Sequence, residues 1–131
     1  MPDIVAFETL HADGVVRLCA AENWPSWTRE NVLGAFSSPG VIALVAVDGD
    51  DVVGAAQLLT DGRVIAYLGL LVVDRDARGH GVGRALVDEL FSRCRLSRFD
   101  LLSEEGSTRF YESLPHKAKP GYRLYRAHRL L

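Results

Sequence analysis

The chain is expected to fold as α+β, an α/β three-layer arrangement in which a mixed, mostly antiparallel sheet is flanked by helices. Three features of the sequence lead there. Three β-type runs separated by turn-forming residues follow one another between positions 41 and 73, and consecutive hairpins make an antiparallel meander. At Val82 the apolar period changes from that of a strand to that of a helix and holds to Cys94. A short apolar run at 99–102 follows that helix, and a strand-helix-strand crossover sets it parallel to the strand before the helix, with a right-handed connection.

Taken in order, 4–7 reads as a short first strand and 13–21 as an amphipathic helix with Val15, Val16, Leu18 and Cys19 on its apolar face. Asn23-Trp24-Pro25-Ser26-Trp27 breaks that helix, and Thr28 can cap a second one over 29–36, which ends before Ser37-Ser38-Pro39-Gly40. The meander is then 41–47, 52–59 and 64–73, with Asp48-Gly49-Asp50 and Asp61-Gly62 at its turns. Beyond the helix that starts at Val82 and the strand 99–102, a further helix is expected over 107–114, stopped by Pro115. A last strand is expected over 122–127.

With 131 residues the chain has the size of one domain, so 1–131 is expected to form a single unit. A composition of 48% hydrophobic and 24% charged residues suits a packed core and excludes a disordered chain. The net charge of -2 supplies no global attraction for nucleic acid or an anionic membrane, and neither is expected as a partner. The start, Met1 to Glu8, carries acids instead of the basic-then-apolar order of an export signal, and no apolar run is long enough to span a bilayer. A cytoplasmic location is therefore expected. Cys19 and Cys94 have no Cys/His ligand spacing nearby and are expected as free thiols. His11, His116 and His128 suggest no metal site either.

The chemistry concentrates in Arg78-Gly79-His80-Gly81-Val82-Gly83-Arg84, between the longest apolar strand and the clearest helix. Glycines let the backbone turn tightly and approach a ligand, and the following helix aims unsatisfied N–H groups and its positive dipole end at it. Phosphate or diphosphate is the natural guest. A Walker loop would need Lys-Ser/Thr after its last glycine, where Arg84-Ala85 stand here. A dinucleotide fingerprint needs Gly-x-Gly-x-x-Gly opening a parallel sheet, and both the spacing and the preceding meander differ.

The segment resembles the signature of the GNAT superfamily of N-acetyltransferases, Arg/Gln-x-x-Gly-x-Gly/Ala at a strand-to-helix turn. Arg78 to Gly83 match it in full, and Leu71-Val72-Val73-Asp74 look like the strand end that precedes it. The resemblance is clearest over 41–112. It implies that acetyl-CoA is the cosubstrate, with no metal, and that the backbone of Gly79, His80, Gly81, Val82, Gly83 and Arg84 holds the CoA diphosphate, Arg78 adding charge. Leu71, Val72 and Val73 would line the pantetheine arm, in a slot opened by splay between the parallel strands. It further implies that Tyr111, in Phe110-Tyr111, is similar to a general acid for the departing thiolate. A phenol near pKa 10 can donate to a thiolate of pKa about 8.5 at hydrogen-bond distance; the alternative is a packing tyrosine.

Trp24, Trp27 and Tyr67 are candidates for an aromatic wall of the acceptor pocket, against aromatic packing under a loop. The base that takes the amine proton is not identified. Strand residues 66–70 carry no carboxylate, which leaves Glu22, Glu104, Glu105 or solvent. Glu104 stands where the family frequently has an asparagine, and Pro115 and Pro120 bound a longer loop than its usual Gly-Phe step. The implied activity is transfer of an acetyl group to a primary amine, of a small molecule or a peptide, by direct attack in a ternary complex. The alternative is a CoA-binding module without turnover. An exposed final strand could pair between subunits and give a homodimer.

Overall fold

A computed structural model describes residues 1–127, which fall into two units, Met1–Asp100 and a second beginning at Leu101. The first unit runs β1 (Asp3–Ala6), a 3-10 turn (Thr9–His11), α1 (Ala12–Ala21), α2 (Arg29–Phe36), β2 (Val41–Asp48), β3 (Asp51–Thr60), β4 (Ala66–Val73), a 3-10 turn (Arg75–Ala77) and α3 (Val82–Arg93). The strands form one sheet in the order β1-β2-β3-β4, with every neighbouring pair antiparallel.

Strand alternation divides the apolar side chains between two helical layers. On one face Val45, Val52, Ala55, Leu70 and Val72 join Ala12, Val15, Leu18 and Cys19 of α1 and Val32 and Phe36 of α2 in one buried cluster. The other face receives α3 through Val82, Leu86, Val87 and Leu90. The approach there is close: a Cβ on Gly54 would sit 3.1 Å from Leu86 Cδ1 and 3.2 Å from Val82 Cγ1. Each fully buried leucine of this layer, Leu86 or Leu90, contributes about 2 kcal/mol through burial.

Turn chemistry sets where the strands begin. Asp61 Oδ1 accepts the amides of Arg63, Val64 and Ile65 at 2.9, 2.9 and 3.0 Å, which holds those residues in a loop. The strand expected to open at Val64 therefore opens at Ala66, and Val64 and Ile65 are each 61% exposed. The β3–β4 register also shifts, with Gln57 opposite Leu70 but Leu58 opposite Leu68. Gly69 is the extra residue of this bulge. A Cβ on it would lie 2.6 Å from Gln57 Oε1 and 2.9 Å from Leu59 Cδ1. Gln57 is itself buried and donates Nε2 to the Ala35 carbonyl of α2 at 3.4 Å.

After α3, Phe99 stacks on Phe91 with ring centres 3.9 Å apart. Leu68 N–H then donates to the Asp100 carbonyl and Asp100 N–H to the Ala66 carbonyl, each at 2.9 Å, a single parallel bridge. The parallel direction is the one expected, but the strand 99–102 contracts to this one residue. The sheet is antiparallel apart from that bridge.

In the second unit α4 (Thr108–Glu112) is shorter than the helix expected over 107–114. The strand expected over 122–127 is absent: the stretch pairs with no strand among the described residues, and Tyr122 and Leu124 are 83% and 90% exposed. Alternating apolar residues do not hold an extended ladder without hydrogen-bonding partners. His128 lies outside the described residues. Among the described residues no helix is long and apolar enough to cross a membrane, and Cys19 and Cys94 are free thiols.

Candidate functional site

The turn from β4 into α3 is built around main-chain donors. Asp74 ends the strand by giving its N–H to the Val53 carbonyl (2.8 Å), and its side chain caps the 3-10 turn by accepting from Asp76 N–H at 2.9 Å. Gly79 and Gly81 follow with φ of +80° and +85°, a left-handed backbone that costs an L-residue about 1–2 kcal/mol. No heavy atom comes within 4 Å of a Cβ placed on Gly79. Gly81 is the N-cap of α3, and the first helical bond runs from Ala85 N–H to its carbonyl at 2.9 Å. The amides of Val82, Gly83 and Arg84 thus have no partner within the helix. No side chain caps them, and the first turn contains no acid. His80 and Arg84 are exposed beside them. Open amides, a positive dipole end and glycines that clear the approach fit a phosphate or diphosphate.

The end of β4 supplies a second row of donors and acceptors. Val72 pairs with Ala55 and Val73 with Gly54, and Asp74 bonds toward β3. Antiparallel hydrogen bonds recur at every second residue, so the main-chain groups of Leu71 and Val73 face the outer edge of β4. Arg78 Nε takes one of them, the Val73 carbonyl, at 3.1 Å.

Charges from α1 brace the turn. Glu22, the C-cap of α1, brings Oε2 to 3.3 Å from Arg75 Nε and 3.0 Å from Arg78 Nη2, and Arg75 Nη2 also donates to the Ala21 carbonyl at 2.9 Å. Arg17 reaches Asp74 Oδ2 at 3.3 Å and the Val52 carbonyl at 2.7 Å. The Asp76 N–H, and after it the Arg17 guanidinium, hold the Asp74 carboxyl below the usual carboxylate range. Burial pushes the Cys19 thiol up to about 12, with the Glu22 charge adding to the shift. That thiol stays protonated near neutrality and does not act as a nucleophile.

The aromatic candidates are placed separately. Asn23, at φ +65°, closes α1 in a Schellman pattern: its N–H donates to the Ala20 carbonyl and Trp24 N–H to the Cys19 carbonyl, both at 3.1 Å. Trp24 and Trp27 both pack against the α1–α2 core, and Trp27 meets Phe36 edge-on at 5.9 Å. Trp27 also lines an open groove of about 580 Å³ with Ser26, Glu30, Asn31, Gly34 and Ala35. Tyr67 stands on β4 opposite Leu59, 37% exposed. In the second unit Tyr111 is half-buried on α4, edge-on to Phe110 at 5.0 Å. Of the candidate bases, Glu22 is engaged by the two arginines, and Glu104 and Glu105 are exposed. Among the described residues no group of three or more His, Cys, Asp or Glu side chains could hold a metal ion.

The Glu22 and Arg17 contacts bring together residues more than fifty positions apart and had no local signal in the sequence. The end of α1 at an asparagine was the readable part.

Comparison with known proteins gives the fold relatives and the family. No curated protein sequence matches the chain. A GNAT-family acetyltransferase from Streptococcus pneumoniae superposes with a TM-score of 0.79 at 25% identity, over 98% of this chain and 100% of that one. An acetyltransferase from Trypanosoma brucei gives a TM-score of 0.78 at 22% identity, over 96% and 100%, and shares the fold. An aminoglycoside 6'-N-acetyltransferase complexed with coenzyme A gives 0.60 at 26% identity, over 70% of this chain and 54% of that one. The model of the acetyltransferase (GNAT) domain matches residues 39–114, more than half of the sequence and the stretch that includes the glycine turn. The chain therefore belongs to the GNAT acetyltransferase family.

Proposed function

We propose that the protein is an N-acetyltransferase that moves the acetyl group of acetyl-CoA to a primary amine, of a small molecule or a peptide, by direct attack in a ternary complex. The observation that carries this reading is the uncapped start of α3 behind Gly79 and Gly81, which fits the diphosphate of a CoA thioester. The coenzyme A held by the aminoglycoside enzyme supports the same choice of ligand. The outward main-chain groups of Leu71 suit the amide-bearing pantetheine arm, which leaves the Val73 N–H for the reacting carbonyl.

In this mechanism a neutral amine attacks the thioester carbonyl, and the oxygen that gains charge is stabilised by a main-chain N–H at Val73. The carbon–sulfur bond breaks, Tyr111 protonates the departing thiolate, and the attacking nitrogen loses its proton to solvent. No enzyme nucleophile is required, in keeping with the buried, protonated state of Cys19. Trp27 and its groove, with Trp24 and Tyr67, are the proposed acceptor side.

A second reading, a CoA-binding module without turnover, is favoured by one feature: residues 66–70 of β4 carry no carboxylate to serve as base. Calorimetric titration with acetyl-CoA and free CoA, followed by thiol release across an amine panel, separates the two. Micromolar binding with amine-dependent thiol release supports the transferase, and binding without release supports the module. Absence of binding removes both. In a turning-over protein, Tyr111→Phe is expected to lower kcat by about a hundredfold; unchanged kcat would remove the acid role.

A further inference from the structure

We infer that Glu22 is a positioning residue for the diphosphate turn, acting through Arg78 and Arg75. This rests on the reading of that turn as the CoA diphosphate site. Three features of Glu22 set it apart from a solvated surface acid. Its side chain is only 20% exposed, whereas the guanidinium groups it meets belong to side chains 67% and 48% exposed. One oxygen, Oε2, meets both arginines. It is also fixed from behind, because the Schellman closure at Asn23 and Trp24 locks the end of α1 that carries it.

Each arginine has a second attachment that turns the ion pair into a bracket. Arg78 holds the Val73 carbonyl through Nε and Glu22 through Nη2, so it spans from the end of β4 to the end of α1. Arg75 holds the Ala21 carbonyl through Nη2 and Glu22 through Nε. The segment between these anchors and α3 contains Gly79 and Gly81, whose backbones are the least restrained by side chains. Without the bracket, ordering that segment becomes part of the free energy of binding. With Arg78 committed to Val73 and Glu22, the main-chain amides are left as the phosphate ligands and the arginine as their brace.

The same contacts argue against Glu22 as the base. Its Oε2 is already occupied by two guanidinium groups, which stand between that oxygen and an incoming amine. Partly exposed ion pairs add little to folding stability, so the consequence of losing this one should appear in binding.

The test is calorimetry with free CoA on wild type, Glu22→Gln, Arg78→Gln and the double variant, with thermal unfolding of each. Glu22→Gln is expected to weaken CoA binding about three- to fivefold, the scale of one partly exposed ion pair. The double variant should bind no more weakly than the worse single one, since both changes remove one bracket. Melting temperatures should stay within a few degrees. Where an acceptor is found, KM for acetyl-CoA should rise with kcat unchanged. Wild-type affinity in Glu22→Gln, or effects that multiply in the double variant, would overturn the positioning role alone. A fall in kcat at constant KM would overturn it in favour of the base. Failure of the wild type to bind CoA would remove the diphosphate reading and this role with it.

Discussion

At the start of α2 the Thr28 hydroxyl accepts the Asn31 amide at 3.2 Å and Glu30 sits in the first turn, whereas α3 starts behind Gly81 with no side-chain hydrogen bond at its cap and no acid in its first turn. Both helices leave a set of N–H groups unsatisfied by their own backbone. In α2 the protein satisfies one of them itself and places a negative charge at the dipole end, which favours stability. In α3 it does neither, and it adds the cationic Arg84. A helix start that gives up capping and accepts left-handed glycines sacrifices stability locally, and it is this open start that is proposed to receive the CoA diphosphate.

The largest expected effect breaks this contrast from the α3 side. Gly81→Val puts a β-branched residue at φ +85° and displaces the amides behind it. CoA affinity should fall about a hundredfold, the scale of one or two lost charge-assisted hydrogen bonds. Chemical denaturation should show a loss of about 2 kcal/mol. If calorimetry finds the affinity unchanged, the amides are not the ligands.

Arg84→Glu makes the start of α3 resemble that of α2. CoA binding should weaken about tenfold while the fold gains about 0.5 kcal/mol from the dipole. Opposite signs in the two measurements are the diagnostic result; a parallel change would mean that Arg84 acts through folding. In α2 the reverse holds: Thr28→Ala should cost about 1 kcal/mol in urea unfolding and leave CoA affinity within about twofold.

The smallest effect concerns Asp74, the capping acid that was placed upstream of the glycines instead of on α3. Its folded pKa is depressed, first by the Asp76 N–H and then by Arg17. Its contribution is therefore present above the unfolded value of about 3.9 and is lost as pH falls through the lower folded value. Stability measured from pH 6 down to 3 should decline less steeply in Asp74→Asn than in wild type, by a small margin because the group is partly exposed.

The two units differ in how readable they were. In the first unit the periodic apolar residues of α1, α3 and the meander are buried, so pattern and packing coincide at Val15, Leu18, Val45, Leu86 and Leu90. Errors there came from local polar chemistry, as when Asp61 took the amides that would have begun β4 two residues earlier. In the second unit no described residue is buried, and the apolar residues Tyr122, Leu124 and Tyr125 had no packed face to report on. The site divides in the same way. Gly79 and Gly81 were legible because a backbone demand leaves a residue type behind, and both indeed adopt positive φ. The partnership of Glu22 with Arg75 and Arg78 was not, because ion pairs between distant segments leave no spacing rule in the sequence.

The bulge at Gly69 bears on redesign of this scaffold. Position 69 lies in the part of β4 where a carboxylate could be introduced to take the amine proton, yet any side chain there would meet Gln57 Oε1 at 2.6 Å and Leu59 Cδ1 at 2.9 Å. Gln57 cannot yield freely, because it is buried and bonded to the Ala35 carbonyl. A glutamate at 69 would need a smaller residue at 57 as well, and that change would remove the hydrogen bond from the sheet to the Ala35 carbonyl of α2. A base is more readily engineered at Tyr67, where the side chain already reaches solvent.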